Sequence, residues 1–205
     1  MSTNQGEAPF ALLMVKGMPY EELAVCLGAQ PGTVMDPDTA RETLRPSQAP
    51  GRSVLPDYAM VGETDDGWAF AIESPEAPNR SDRYAPGRDL WSKHSVVRVS
   101  DSTMDPPVIN VSVDGKHDWM FWEHMTDDVE HPLTRSLVAA GGFVEDSDRV
   151  YIDDASRVTM LDVYRAVGEY YGLTLPRQAI ADRRLPHAFT EPRVLGRVSK
   201  VDLDV

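Results

Sequence analysis

The chain has 205 residues, of which 33 are acidic and 20 basic, so its formal net charge is −13 at pH 7. This charge opposes broad attraction to nucleic acid or to an anionic membrane, and no apolar run reaches the roughly 18 residues that a membrane helix needs. A single cysteine, Cys26, excludes an intrachain disulfide and metal sites built from several thiolates. The opening residues MSTNQGEAPF do not resemble a secretory signal, so we expect a cytoplasmic protein.

The first apolar run, residues 10–15, fits a buried strand or the start of a helix, because its periodicity suits both. A short helix of about ten residues should follow, with Pro19 in its first turn and Gly28 at its end. Cys26 lies on the apolar side of this helix, which predicts a buried structural thiol rather than a reactive one.

A second helix is predicted to begin at Asp36 or Asp38, with Asp38 as its N-cap, and to end before Pro46. The next element is a hairpin over residues 58–72, because an Asp-Gly turn at 66–67 separates two runs of residues that favour strands.

The middle of the chain alternates between a connection and strands. Residues 74–92 are rich in proline, glycine and arginine and predict a long loop, and residues 95–100 predict a strand. A second hairpin is expected over residues 108–122, with its turn at Asp114-Gly115. Alternation along its first strand predicts that one face is more apolar than the other.

After this hairpin, residues 123–132 are predicted to break the sheet, and residues 144–158 have no assignable pattern. Thr159 and Asp162 form a variant of the capping box. Residues 193–205 are either a last strand or an ordered extension. Three helices are predicted in this part of the chain, over residues 133–143, over residues 159–173 and from Pro176 onwards.

Together, these elements predict a single α+β domain over residues 1–205, with residues 1–9 disordered and residues 181–205 as a C-terminal extension. The sheet should be an antiparallel meander of about five or six strands. Helices from both ends of the chain are expected to pack on one face of it.

Five segments in this order resemble an actinobacterial family defined as a domain of unknown function. They are EELAVCLGA, GETDDGWAFAIE, SVVRVS, DGKHDWMFWE and DVYRAVGEYYGLTLP. In that family, a Leu-Gly-Ala helix precedes a Gly-Trp strand ending in Glu, and a late helix ends near Thr-Gly or Tyr-Gly-Leu. The likeness covers most of residues 10–180, and the chain departs from it in the loop 74–92 and after residue 180. The resemblance implies the fold and a soluble bacterial setting, and it brings no activity.

Histidines and carboxylates are concentrated between residues 117 and 131. The side chains of His117, His124, Asp127 and His131 could converge on one metal ion, yet neither HExxH nor another recognised ligand spacing occurs. A solvated acidic loop beside a sheet edge is the plainer interpretation. We therefore expect no metal or other cofactor, and these four residues are the weaker candidates.

Two surfaces could bind a partner. In the loop 74–92, the residues Arg83, Tyr84, Arg88 and Trp91 combine positive charge with aromatic rings, as interface hot spots do. The alternative is that Trp91 folds back on the core while the arginines pair with nearby aspartates.

The second surface is the strand around Trp119 and Trp122. These two tryptophans fall on opposite sides of a strand, so both faces of the sheet are apolar there. One face is core, and the other must meet helices or a partner.

The absence of GxSxG and of phosphate-binding glycine motifs favours a protein that is not an enzyme. We expect a cytoplasmic binding protein that engages a protein partner, and eleven acidic against three basic residues between 101 and 150 favour a basic one. A toxin-neutralising, immunity-like role and acidic mimicry are concrete forms of this function. The alternative is a metal-dependent enzyme or small-ligand protein that uses the cluster at 117–131.

Overall fold

The computed structural model of the chain describes residues 10–43, 57–73, 82, 85–101, 106–146, 149–152 and 158–190. The strands are β1 (Phe10–Lys16), β2 (Asp57–Glu63), β3 (Trp68–Glu73), β4 (Val96–Asp101), β5 (Val108–Val113), β6 (Lys116–Trp122), β7 (Met125–Thr126), β8 (Val144–Asp146), β9 (Arg149–Tyr151) and β10 (His187–Thr190). They form one antiparallel sheet in the order β10-β2-β3-β1-β4-β5-β6-β7-β9-β8. The predicted α+β class with an antiparallel sheet is confirmed, and the sheet has more strands than expected.

The helices in these ranges are α1 (Tyr20–Cys26), α2 (Pro37–Thr43), α3 (Ala85–Lys93), α4 (Pro132–Ala139), α5 (Met160–Tyr171) and α6 (Arg177–Ala181). Of these helices, only α3 was not predicted. Residues 74–92 were expected to form a loop, and α3 occupies its second half. Pro86 lies in its first turn, which tolerates proline, and Leu90 is buried. None of the helices in the described ranges is long and apolar enough to cross a membrane.

Side chains cap the N-termini of two helices. At α5, the Asp162 carboxylate accepts hydrogen bonds from the Thr159 backbone N–H at 2.9 Å and from its hydroxyl at 2.8 Å, as the capping-box pattern predicts. At α2, Asp36 is the cap rather than Asp38, because its Oδ1 accepts from the backbone N–H groups of Asp38 and Thr39 at 3.0 Å each. Hydrogen bonding, above all from Thr39, lowers the pKa of Asp36.

The first apolar run forms a strand. β1 lies inside the sheet, between β3 and β4, and it is paired along both edges. Met14 is buried in the core on one side of the sheet, whereas Leu13 and Val15 are buried in the core on the other. Burial on both faces explains why the run is continuously apolar rather than alternating.

Each face of the sheet has its own core. The α5 face, which α4, α5 and α6 cover, has a core that extends from β1 and β3 across to β9. The α1 face, which α1 and α3 cover, has a core drawn from β10, β2, β3, β1 and β4. Helices from the two ends of the chain therefore lie on opposite faces, and the expectation that they share one face is wrong.

The core of the α1 face ends at β4, where Val96 is its last strand residue. The end of α3 then contacts the turn between β5 and β6. The Gly115 N–H donates to the His94 carbonyl at 3.2 Å, and the Asp114 N–H donates to the Ser95 hydroxyl at 3.0 Å. This junction lies at the limit of the surface that α1 and α3 cover.

Both predicted hairpin turns are present. Asp114 and Gly115 have φ values of 50° and 75°, as a two-residue turn of this type requires. The expectation that residues 123–132 break the sheet is wrong at their start, because Glu123 and His124, with φ values of 49° and 67°, form another two-residue turn. This turn leads into β7, which continues the sheet.

Part of the predicted extension 181–205 belongs to the sheet. β10 lies within it and pairs with β2 from His187↔Met60 to Thr190↔Asp57. The predicted last strand or extension at residues 193–205 lies outside the described residues.

Candidate functional site

A continuous row of apolar side chains crosses the α1 face beyond the reach of its helices. Directly paired residues of antiparallel strands share a face, and the register links five such residues across β5, β6, β7, β9 and β8. We call them the apolar row: Val108, Trp122, Met125, Tyr151 and Val144. None of these five residues belongs to either core, and Tyr151 and Val144 keep 36% and 39% of their surface exposed.

The two tryptophans of β6 have different environments. Trp119 is fully buried on the α5 face, where its indole N–H donates to the Thr134 hydroxyl of α4 at 2.9 Å. Trp119 is therefore a core residue, and its expected part in a partner surface is corrected. Trp122 is half-buried in the apolar row, and no described residue accepts a hydrogen bond from its buried indole N–H.

Charged side chains border the apolar row. Asp146 is paired in register with Arg149, and the Arg149 guanidinium lies 3.3 Å from the Asp127 carboxylate. Two carboxylates thus accompany one guanidinium beside the row. The wider segment 101–150 carries eleven acidic and three basic residues.

The arginine and tryptophan surface is only partly described. Arg83 and Tyr84 lie outside the described residues, and Arg88 is exposed on α3. Trp91 packs against the core of the α1 face, and the Arg98 guanidinium lies 5.2 Å from its ring centre. Trp91 therefore folds back on the core, as in the alternative interpretation. Arg88 remains the exposed candidate in α3.

A second group of polar side chains lies at the outer edge of β6. β7 pairs with β6 only at Trp122↔Met125, and residues 127–131 lie beside the edge that β7 leaves open. There, the Asp128 carboxylate accepts a hydrogen bond from the Met120 backbone N–H at 2.8 Å, and the His117 Nε2 lies 3.4 Å from the same oxygen. A side chain thus satisfies an N–H group that a neighbouring strand would otherwise bind.

A β-bulge directs Asp118 into this group. Trp119 pairs with Val111 while His117 pairs with Ser112, so Asp118 is the extra residue. Bulges commonly re-aim side chains. The Asp118 carboxylate meets the Tyr171 hydroxyl, which donates to it at 2.7 Å, and it lies 3.4 Å from the His131 Nε2. We call these residues the histidine cluster: His117, Asp118, Asp128, His131 and Tyr171.

His131 is also the N-cap of α4. Its Nδ1 accepts a hydrogen bond from the Leu133 backbone N–H at 3.2 Å, and Pro132 occupies the first helical position. An imidazole nitrogen that accepts carries no proton, so the proton of neutral His131 is on Nε2, which faces Asp118. Neither ring nitrogen is therefore free to take a proton from a substrate.

Two tyrosines of α5 complete the surroundings of His131. The Tyr170 ring is exposed and meets the His131 ring edge-on, with 5.3 Å between the ring centres. Burial, followed by the hydrogen bond to Asp118, raises the pKa of Tyr171 far above its ordinary value. At neutral pH the Tyr171 hydroxyl therefore keeps its proton and donates it in the hydrogen bond to the Asp118 carboxylate.

The four weaker metal candidates do not converge. His117 and His131 belong to the histidine cluster, whereas His124 lies in the exposed turn after β6 and Asp127 pairs with Arg149. The described part of the chain contains no group of three histidine, cysteine or carboxylate side chains placed to hold a metal ion. Cys26 is buried as predicted, and burial raises the pKa of its thiol.

Sequence reasoning missed most of the apolar row and the role of Tyr171. Tyr151 and Val144 lie in strands of three residues each, which are too short to show a period. A usable signal was present in Trp122 and Met125, because a two-residue turn between them places both side chains on one face.

Comparison of the chain with models of protein families, with curated proteins and with solved structures gave no match.

Proposed function

We propose that this chain is a non-enzymatic binding protein of the bacterial cytoplasm, and that the apolar row contacts a basic protein partner. The supporting observation is that the core of the α1 face ends at β4 while apolar side chains continue across β5, β6, β7, β9 and β8. Contiguous exposed apolar surface with a polar rim commonly marks a site of protein association.

The charge of the same region favours a basic partner. Residues 101–150 carry eleven acidic and three basic residues, and Asp127 and Asp146 lie beside the row. Complementary charge speeds association and suppresses the wrong partners. A second copy of this chain is disfavoured by the same argument, since each copy has a net charge of −13. A toxin-neutralising or immunity-like role, or mimicry of an acidic ligand, would use the surface in this way.

Affinity capture with matched variants tests the proposal. The tagged full chain would be compared with Val144→Ser/Tyr151→Ser in a lysate of the bacterium that encodes it, with bound proteins quantified by mass spectrometry. We expect a basic protein whose capture falls about tenfold or more in the double variant, because aromatic anchors carry much of the binding energy of an interface.

The matched control is Leu161→Ser/Val113→Ser. It removes two apolar side chains that are 54% and 38% exposed but lie outside the row, and it should capture the partner as the unaltered chain does. Capture should also weaken as salt is raised from about 50 to 300 mM. An equal loss in both double variants, or capture indifferent to both, would show that the row is not the binding surface.

The second candidate function uses the histidine cluster as a metal or small-ligand site, since the fold places His117 3.4 Å from Asp128 and His131 3.4 Å from Asp118. These are two separate pairs, and because no three such side chains of the described residues surround one point, a bound metal would require them to rearrange. Metal analysis of the purified chain separates the two. Stoichiometric zinc or manganese that is lost in His117→Ala/His131→Ala would favour the second candidate.

A further inference from the structure

The outermost strand β8 has one edge that no strand of the described residues borders. β8 stands last in the strand order, after β9, and its three residues are all exposed. In an antiparallel sheet, successive residues direct their backbone N–H and C=O groups to opposite edges of a strand. The pairing of β9 therefore decides which residue of β8 points outward.

The register directs the backbone groups of Glu145 away from the sheet. The Ile152 N–H donates to the His124 carbonyl oxygen at 2.9 Å, on the β7 side of β9. Because successive residues bond to opposite neighbours, Tyr151 bonds towards β8 and Val150 bonds towards β7 again. Glu145 is paired in register with Val150, so its own N–H and C=O point to the open edge.

Acidic side chains accompany this edge on both faces of the sheet. The Glu145 carboxylate lies 3.2 Å from the Arg135 guanidinium, which also lies 2.6 Å from the Glu130 carboxylate. On the other face, Arg149 likewise accompanies two carboxylates. A short, acidic edge strand disfavours pairing with a second copy of an acidic chain, and it favours a basic strand.

The two faces of β8 also determine the pattern of a strand that would fit. Directly paired residues share a face, so a residue opposite Val144 would extend the apolar row across the α1 face. A residue opposite Glu145 would lie on the α5 face, beside the carboxylates of Glu145 and Glu130. The fitting strand therefore alternates between apolar and basic residues.

We propose that the protein partner inserts an extended segment of alternating apolar and basic residues, which pairs with β8 as a further strand of the sheet. This proposal rests on the proposed function for the basic partner, and it adds how that partner is held. In such strand addition, backbone hydrogen bonds supply affinity and alternate side chains supply specificity.

A labelled heptapeptide of alternating lysine and valine tests the pairing, with binding to the full chain followed by fluorescence anisotropy at about 50 mM salt. Glu145→Pro removes the outward N–H and no hydrogen bond to β9, and edge strands tolerate a proline whose nitrogen faces solvent. The matched control, Glu145→Ala, removes the same carboxylate and keeps the N–H. We expect the proline variant to bind at least about tenfold more weakly than the alanine variant, because the added strand loses a hydrogen bond and meets the proline ring.

Hydrogen exchange of the Glu145 amide, measured by NMR on the unaltered chain, reports the same pairing at one atom. If exchange occurs only from the free chain, protection rises by about tenfold at a peptide concentration of about ten times the dissociation constant. The Val150 amide, which is bonded towards β7, should keep its protection in both variants and so confirm that they are folded. A heptapeptide of alternating glutamate and valine should not bind, because its charge repels the edge.

Three results would overturn the added strand: equal affinity in Glu145→Pro and Glu145→Ala, an unprotected Glu145 amide in the complex, or no binding up to about 1 mM peptide. A dimer in sedimentation that Glu145→Pro dissociates would give the edge to a second copy and would also overturn it.

The proposed function fails separately. If Val144→Ser/Tyr151→Ser binds the lysine peptide as the unaltered chain does, while Glu145→Pro does not, the strand pairing stands and the apolar row is not the contact. If the double variant loses binding while Glu145→Pro and Glu145→Ala bind equally, the apolar row is the contact and the added strand is wrong.

Discussion

The two halves of the α1 face differ in cover although they belong to one sheet. Over β1 to β4, α1 and α3 bury Leu13, Val15 and Val96 completely. Over β5 to β9, the row that contains Trp122 and Tyr151 joins no core. The opposite face shows no such division, because its core extends from β1 to β9.

Apolar strand residues favour burial, but the strand sequence does not determine which element buries them. In the first half, a helix between β1 and β2 and another between β3 and β4 supply the cover. The later helices, α4 and α5, pack on the opposite face, where Leu133, Leu137, Val163 and Val167 are buried. No helix of the described residues covers the second half of the α1 face, and this is the surface on which the proposed partner would pack.

Two aromatic residues, one on each face of the sheet, should differ most in what their removal costs. Trp119→Ala should lower the free energy of unfolding by about 3–5 kcal/mol, because a fully buried ring and its hydrogen bond to Thr134 are lost. Tyr151→Ala should cost under about 1 kcal/mol, since its ring is exposed. Urea unfolding followed by circular dichroism measures both. Equal losses would mean that the apolar row is a second core and would remove the contrast.

The junction between the two halves gives the next effect. Gly115 has a φ of +75°, and a Cβ there would collide with the Ser92 carbonyl oxygen at the end of α3. Gly115→Ala should therefore destabilise by at least about 2 kcal/mol. The matched control is Gly67→Ala, whose φ is +78° but whose Cβ would meet no atom within 4 Å. Gly67→Ala should lower the free energy of unfolding by about 1 kcal/mol, from backbone strain alone. If both variants lose the same stability, α3 does not press on the turn.

Local patterns predicted much of the fold. The Asp-Gly turns, the capping pair Thr159 and Asp162, and the helix at Pro19 were identified because each depends on a few adjacent residues. α3 was missed because its proline and glycine lie where a helix start tolerates them, and because Leu90 is its one large side chain among the buried core residues, which gives no visible apolar period.

The candidate sites were less predictable, because they depend on contacts between distant segments. Tyr171 meets Asp118 across 53 positions of the chain, and the β-bulge that points Asp118 at it leaves no mark in the sequence. Trp119 and Trp122 both stood out as aromatic, but alternation alone could not tell which face the helices of the chain would cover. The difference depends on where α4 packs, which is a property of the whole fold.

The smallest expected effect concerns Tyr171, which links the α5 side of the sheet to its open edge. The pKa of Tyr171 is raised in the folded chain, whereas a tyrosine in the unfolded chain ionises near pH 10. Below about pH 10 the phenol is protonated in both states and its contribution to stability is complete. As the pH rises further, the unfolded chain releases a proton that the folded chain keeps, so stability falls by up to about 1.4 kcal/mol per pH unit.

Tyr171→Phe should reduce this alkaline loss, and the remainder should come from groups such as Tyr20 and Cys26, whose pKa values are also raised. The variant should lower stability by about 1 kcal/mol near neutral pH, because the hydrogen bond to Asp118 is missing. The matched control is Tyr170→Phe, which removes the hydroxyl of an exposed neighbour in the same helix and should leave the alkaline loss in place. Urea unfolding at pH 8.5, 9.5 and 10.5 compares the three proteins. An alkaline slope as steep in Tyr171→Phe as in the unaltered chain would mean that the hydrogen bond to Asp118 does not hold the proton of Tyr171.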